Sequence, residues 1–192
     1  MEKLIKLDKE LFVFLNGLGS LQYDAFWVLI TNQLNWIPYF LILLWILQKR
    51  IGWKNLGILL LFIAVLITFT DQMTNVFKNY FQRTRPCYDE EIMYTIRVVK
   101  SSSTFSFFSG HASSSFASMT FVFLILRKYY KYAFVVYLFP LIFAYSRIYL
   151  GLHFPLDILT GYLFGLVTGS LFYNLYKKVI NKYFSSVDVA NY

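Results

Sequence analysis

The sequence is sparing with the side chains that most often carry chemistry. It holds one cysteine, two histidines and ten acidic residues in 192 positions. A lone Cys87 closes no internal disulfide and supplies no metal-ligand spacing, so the fold must be held by packing. Gly/Pro/Ser-rich linkers are missing, as is any repeat of fixed period, which excludes a solenoid and argues against a second domain. We therefore expect one domain over residues 1–184 and a short, flexible polar tail over residues 185–192. The amino terminus lacks an uninterrupted apolar core, because Lys6, Asp8, Lys9 and Glu10 interrupt it, which argues against a cleaved secretory signal.

What the chain has in abundance is apolar surface. A hydrophobic fraction of 58%, an aromatic fraction of 21% and a positive mean hydropathy place it in the membrane class. Since a bilayer-crossing helix needs about 20 apolar residues, four stretches qualify plainly or nearly: Leu56 to Phe77, Ala112 to Leu126, Tyr132 to Tyr149 and Leu156 to Tyr176. A fifth, Ala25 to Leu47, contains Asn32, Gln33, Asn35 and Pro38 and is expected to kink or break near Pro38. From Lys3 to Leu18, leucines at three- and four-residue steps with Lys6, Lys9 and Glu10 on other faces predict an amphipathic helix in the membrane interface; a sixth, short span is the alternative. The expected fold is an all-α polytopic membrane bundle of five to six spans with an amphipathic N-terminal helix.

Five spans put three basic segments on one side: Lys49, Arg50 and Lys54; Arg127, Lys128 and Lys131; Lys177, Lys178 and Lys182. The positive-inside rule makes that side cytoplasmic. The net charge of +8 resides mainly there and in the polar clusters below, and no groove-tracking basic surface suggests nucleic acid. Three polar clusters fall on the opposite side.

The first cluster is Lys78, then Arg85 and Pro86 after six intervening residues. Asp71, Asn75 and Lys78 share a helix face, and an acid within a span is expected to face the bundle interior. In the second cluster, Ser109 caps a helix opening at Gly110 and His111, whose free N–H groups form an anion site that glycine lets a phosphate approach. The third is Ser146 and Arg147, then His153 and Asp157, with Pro155 marking a helix start between them. The four-residue spacing lets Asp157 fix the tautomer that frees the other nitrogen of His153 to attack. Singly, the clusters also read as headgroup-facing cations, a turn before a close-packed helix, and a capping His-Asp pair.

Taken in order, the three resemble the signature of the type-2 phosphatidic-acid phosphatase superfamily: Lys-x6-Arg-Pro, Pro-Ser-Gly-His and Ser-Arg-x5-His-x3-Asp. The first and third parts match fully; in the second, Phe108 stands where the family has proline. The resemblance runs from about Leu56 to Tyr176. It implies metal-independent hydrolysis of a phosphate or diphosphate ester through a phosphohistidine, with no cofactor. His153 would attack phosphorus, Asp157 would orient it, and His111 would protonate the leaving oxygen and then activate water. Lys78, Arg85, Ser109, Gly110 and Arg147 would hold the phosphoryl oxygens.

A site at the outer membrane face suits a lipid phosphate whose tails stay in the bilayer. Undecaprenyl diphosphate or phosphatidylglycerophosphate are the leading candidates, with lipid A and phosphatidate as alternatives. The expected location is a bacterial inner membrane, the site facing the periplasm or exterior. Rival readings are a non-catalytic lipid-phosphate binder or flippase, and a haloperoxidase, since the family's phosphate site resembles a vanadate site.

Overall fold

The computed structural model describes residues 2–183, so the tail expected over 185–192 lies outside the described residues. Six α-helices make up the frame: α1 (Glu2–Gly17), α2 (Leu21–Ile30), α3 (Ile37–Phe81), α4 (Gly110–Leu126), α5 (Leu138–Tyr149) and α6 (Pro155–Tyr183). Two segments, Gln33–Tyr88 and Pro155–Tyr183, are long and apolar enough to cross a membrane, and Gly110–Leu126 and Ala133–Tyr149 are shorter apolar helices.

The chain breaks where the sequence predicts, just ahead of Pro38. Residues Thr31 to Trp36 leave the α-helical path, Asn32 Oδ1 caps the short turn Gln33–Trp36, and Pro38 sits in the opening turn of α3, where its missing N–H costs nothing. The basic segment holding Lys49, Arg50 and Lys54 turns at a single glycine break. Gly52 takes φ 72° and ψ 168°, a conformation open to glycine, and the two halves of α3 face one another across a shared cavity. A helical hairpin therefore forms with almost no connecting residues.

Small residues decide how α4 and α6 meet. A Cβ at Gly161 would lie 2.8 Å from the Ser109 carbonyl oxygen, one at Gly165 2.6 Å from that of Ser113, and one at Gly169 would meet that of Ala117. Glycine every fourth residue thus lets α6 press directly on the α4 backbone. As a result α4 is buried on nearly all sides, carrying Ala112, Ala117, Phe121 and Val122 into the core.

The basic segments gather at one end. Arg50 donates to the Tyr130 hydroxyl at 2.8 Å, and the Tyr176 hydroxyl donates to the Asn55 carbonyl at 3.3 Å. Helix α6 runs on to Tyr183, past the Tyr176 limit expected from hydropathy. Helix α1 is tied to the opposite end at both Asp8, which meets Arg83 and Leu156, and Asn16, which meets Ile148. Its leucines at 4, 7 and 11 are exposed, as is Leu18 just beyond it, while Asp8, Phe12 and Asn16 are buried.

One sequence expectation fails here. Asp71 is exposed rather than interior, and the polar side chain it meets is Asn75 at 3.5 Å. Thr70 and Thr74, one turn apart, occupy the buried face of α3, which turns Asp71 outward by about 100°.

Candidate active site

The end of the bundle opposite the basic segments brings all three clusters together. Lys78 lies in the last turn of α3, and Gln82 closes that helix in a left-handed conformation at φ 47°, turning the chain toward Arg85. Arg85 is buried, at 4% exposure, and uses its whole fork. Its Nε donates to the Thr104 carbonyl, Nη2 to the Thr104 hydroxyl, and Nη1 to the Leu152 carbonyl at 2.8 Å. Nη1 also lies 3.2 Å from His153 Nε2. The first cluster is thereby tied to the third.

The second cluster docks on the third through the backbone. Ser109 donates its N–H to the Asp157 carbonyl at 3.0 Å, while its hydroxyl accepts from Ala112 N–H at 3.4 Å and caps α4. Gly110 opens the helix; a methyl there would only touch Thr74 Cγ2 at 3.4 Å, so internal packing does not require glycine. His111 follows, its ring 5.4 Å from the Phe143 ring and within electrostatic reach of Arg147, His153, Lys78 and Arg85. Phe108, in the place of the family's proline, is buried between Phe77 and Phe164 at 5.4 and 5.1 Å. It fills an aromatic wall behind the loop.

Arg147 lies in the last turn of α5 and is also buried. Its Nη1 donates to Thr31 Oγ1 at 2.6 Å, but its Nε is a buried donor without a partner among the described residues. A buried unpaired N–H is costly, which marks the place where an acceptor from a ligand would be welcome.

His153 sits just before α6 with 1% exposure. Its Nδ1 faces Asp157 Oδ2 at 3.5 Å, longer than a formed hydrogen bond. Burial, reinforced by the neighbouring Arg85 and Arg147 charges, pushes the imidazole down to about 3, with Asp157 pulling the other way. The ring is held neutral, so a lone pair is available.

Asp157, fully buried, is held by more than the histidine. Oδ2 accepts from the Ser106 hydroxyl at 2.8 Å and from Phe154 N–H at 3.0 Å; Oδ1 accepts from Arg83 Nη1 at 2.7 Å. Sequence reasoning marked neither Ser106 nor Arg83 as a site residue. Neither has a local signal, because both act through a loop that closes over residues distant in sequence.

Beneath the cluster, an apolar cavity of about 310 Å³ opens between α3, α4 and α5, lined by Leu43, Leu47, Leu60, Ile63, Met119 and Phe143. Ser114 and Ser115, one turn below His111, form part of its wall. The polar clusters and the apolar volume are thus adjacent.

Residues 55–181 match the PAP2 superfamily. The chain is 34% identical over 184 residues to a lipid A 4'-phosphatase from Bacteroides thetaiotaomicron, covering 93% of this chain and 81% of that protein. A lipid A 4'-phosphatase from Porphyromonas gingivalis is 27% identical over 179 residues, covering 92% and 75%. Among solved structures, the fold is similar to a transmembrane PAP2-type phosphatidylglycerolphosphate phosphatase from Bacillus subtilis, with TM-score 0.71 and 19% identity over 93% of this chain and 89% of that one. It is also similar to Aquifex aeolicus LpxE, with TM-score 0.62 and 24% identity over 86% and 93%.

Proposed function

This chain belongs to the PAP2 superfamily, and from that premise we propose that it removes the 4'-phosphate of a lipid A-type glycolipid through a phosphohistidine on His153. It is a membrane lipid phosphatase of all-helical fold. The reading is carried by one contact, Arg85 Nη1 against His153 Nε2 at 3.2 Å. The lone pair of a neutral imidazole and a cation share one point, which suits a phosphoryl group arriving there.

In the proposed reaction Nε2 of His153 attacks phosphorus and the ester P–O bond breaks. His111 gives its proton to the departing alkoxide, then takes one from a water that attacks phosphorus and breaks the P–N bond. Asp157 holds Nδ1–H and offsets the charge that builds on the ring. Lys78, Arg85, Arg147, Ser109 and the Gly110 N–H hold the phosphoryl oxygens. Burial first, and then the nearby Arg147, Lys78 and Arg85 charges, disfavour a proton on His111; a phosphate dianion counters those charges, so substrate binding shifts the ring toward the protonated acid.

The choice of lipid rests on the two relatives that align over nearly the whole chain, both lipid A 4'-phosphatases. Undecaprenyl diphosphate and phosphatidylglycerophosphate, first in order from sequence alone, therefore move behind it; the likeness to the Bacillus subtilis enzyme is one of fold. The cavity beside His111 suits an acyl chain. With the basic segments cytoplasmic, the site faces the periplasm of a bacterial inner membrane, and α1 and α2 join the matched region in a single domain over residues 1–184.

A phosphate-release panel in detergent tests this: lipid A, undecaprenyl diphosphate, phosphatidylglycerophosphate and phosphatidate, with His153→Ala as control and mass spectrometry of the lipid A product. Loss of the 4'-phosphate at the highest kcat/KM is expected. Binding without turnover would overturn the enzymatic reading, and preference for another lipid would overturn the substrate.

A further inference from the structure

The strongest unused feature of the molecule is a bridge of charge that starts outside the matched region. Arg83 places Nη1 2.7 Å from Asp157 Oδ1 and Nη2 2.6 Å from Asp8 Oδ2, with its guanidinium 4.0 Å above the Phe154 ring. Asp8 belongs to α1, well before residue 55, where the match to the family begins. It is buried, and its other oxygen accepts the Leu156 N–H at 2.8 Å at the start of α6.

Helix α1 is built to hold that carboxylate in place. Asp8, Phe12 and Asn16 recur every four residues and form its only buried stripe among the described residues. Phe12 packs edge-on to Phe154 at 5.4 Å, and Asn16 Nδ2 lies 3.0 to 3.1 Å from the carbonyls of Arg97, Ile148 and Tyr149. Lys9 pairs with Asp89 at 2.8 Å and with Glu91 at 2.9 Å on the loop. The exposed leucines Leu4, Leu7 and Leu11 lie about 100° around the helix from that stripe.

The consequence bears on Asp157. A carboxylate near a neutral imidazole must present a fixed oxygen to Nδ1–H, and a guanidinium holding Oδ1 fixes the plane so that Oδ2 faces His153. A guanidinium with no second anion would draw the Asp157 charge toward itself; Asp8 shares that positive charge and leaves Asp157 free to accept from the imidazole. We propose that Arg83 and Asp8 are positioning residues for the nucleophile, through which the interfacial helix α1 sets the Asp157 carboxylate. The inference rests on the assignment of His153 and Asp157 given above.

The test is a double-mutant cycle of Asp8→Asn and Arg83→Gln, assayed on a soluble aryl phosphate and normalised to folded protein by melting and size exclusion in detergent. Arg83→Gln strands two buried carboxylates near each other and should lower kcat by roughly tenfold or more, with KM within about twofold because Lys78, Arg85 and Arg147 are untouched. Adding Asp8→Asn removes the like-charge repulsion and should restore part of that loss. If Arg83→Gln does not fold, Arg83→Lys serves in its place, since a single ammonium cannot span both carboxylates and should also lower kcat. Unchanged kcat in a folded Arg83 variant, or single effects that simply multiply, overturns the proposal. His153→Ala run alongside separates the two failures: residual turnover there overturns the nucleophile assignment itself, whereas an inactive His153→Ala beside fully active Arg83 variants overturns the positioning role alone.

Discussion

Arg85 Nη1 and His153 Nε2 lie 3.2 Å apart, and that single distance assigns the tautomer of the ring. A guanidinium has donors and no acceptor, so Nε2 must accept, and in the neutral ring the proton then resides on Nδ1, the nitrogen facing Asp157. The pair leaves the Nε2 lone pair facing a cation, the arrangement that the proposed attack by His153 requires.

Replacing that cation separates its roles. Arg85→Met should lower kcat by about 10² to 10³, the usual loss when one donor to a developing oxyanion is removed. Arg85→Lys should recover only a minor part, because an ammonium cannot bond Thr104, Leu152 and the substrate together. Steady-state kinetics on a short-chain lipid phosphate decide it; full activity in Arg85→Lys would show that charge alone suffices.

The leaving group should report on His111. A general acid contributes about 10² to 10⁴ in rate, so His111→Ala should lose that much on lipid A and far less on an activated aryl phosphate, whose phenolate needs no proton. Equal losses on both substrates would remove His111 from the acid role.

His153 makes a pH prediction with a definite sign. The unfolded ring titrates near 6.5, while burial and the adjacent arginines push the folded one down to about 3, so between these values the unfolded state binds more protons. The stability this group supports is intact above pH 6.5 and declines as pH falls toward 3, by up to about 1.4 kcal/mol per pH unit. Melting temperature in detergent should therefore drop between pH 7 and pH 5, and His153→Asn should flatten the slope. An unchanged slope would mean that the ring is not held neutral.

The glycine stripe of α6 predicts a gradient from activity to stability. Gly169→Val, which meets the Ala117 carbonyl far from the site, should destabilise by about 1–3 kcal/mol with little change in kcat per folded molecule. Gly161→Val pushes on the Ser109 carbonyl and so on the turn that opens α4, and should lower kcat as well. Thermal melting beside kinetics distinguishes the two.

Much of the site is legible in the chain because its members sit at fixed offsets on local elements. His153 and Asp157 share one helix start, Ser109 caps the helix that presents His111, and Lys78 and Arg85 flank one helix end. Hydropathy likewise marks the apolar segments and the break before Pro38. Patterns of this kind survive in one dimension because the period of a helix is fixed.

Where the sequence misleads, the face a helix buries or one backbone angle decides. Asp71 has the spacing of an interior acid, yet Thr70 and Thr74 take the buried face. The 48–55 segment has the charge of a loop, yet one glycine suffices to reverse α3.

By itself, then, the sequence determined that the chain is an all-helical membrane protein, which polar clusters it carries, and which end of the bundle they share, since apolar length and helix period are local properties. Only the tertiary structure decided what holds Asp157. Ser106 and Arg83 come from a loop and Asp8 from an amphipathic helix about 150 residues earlier, brought to one carboxylate by the folding of that loop and the docking of α1. A buried charge must find its partners in space, and no spacing along the chain records which they are.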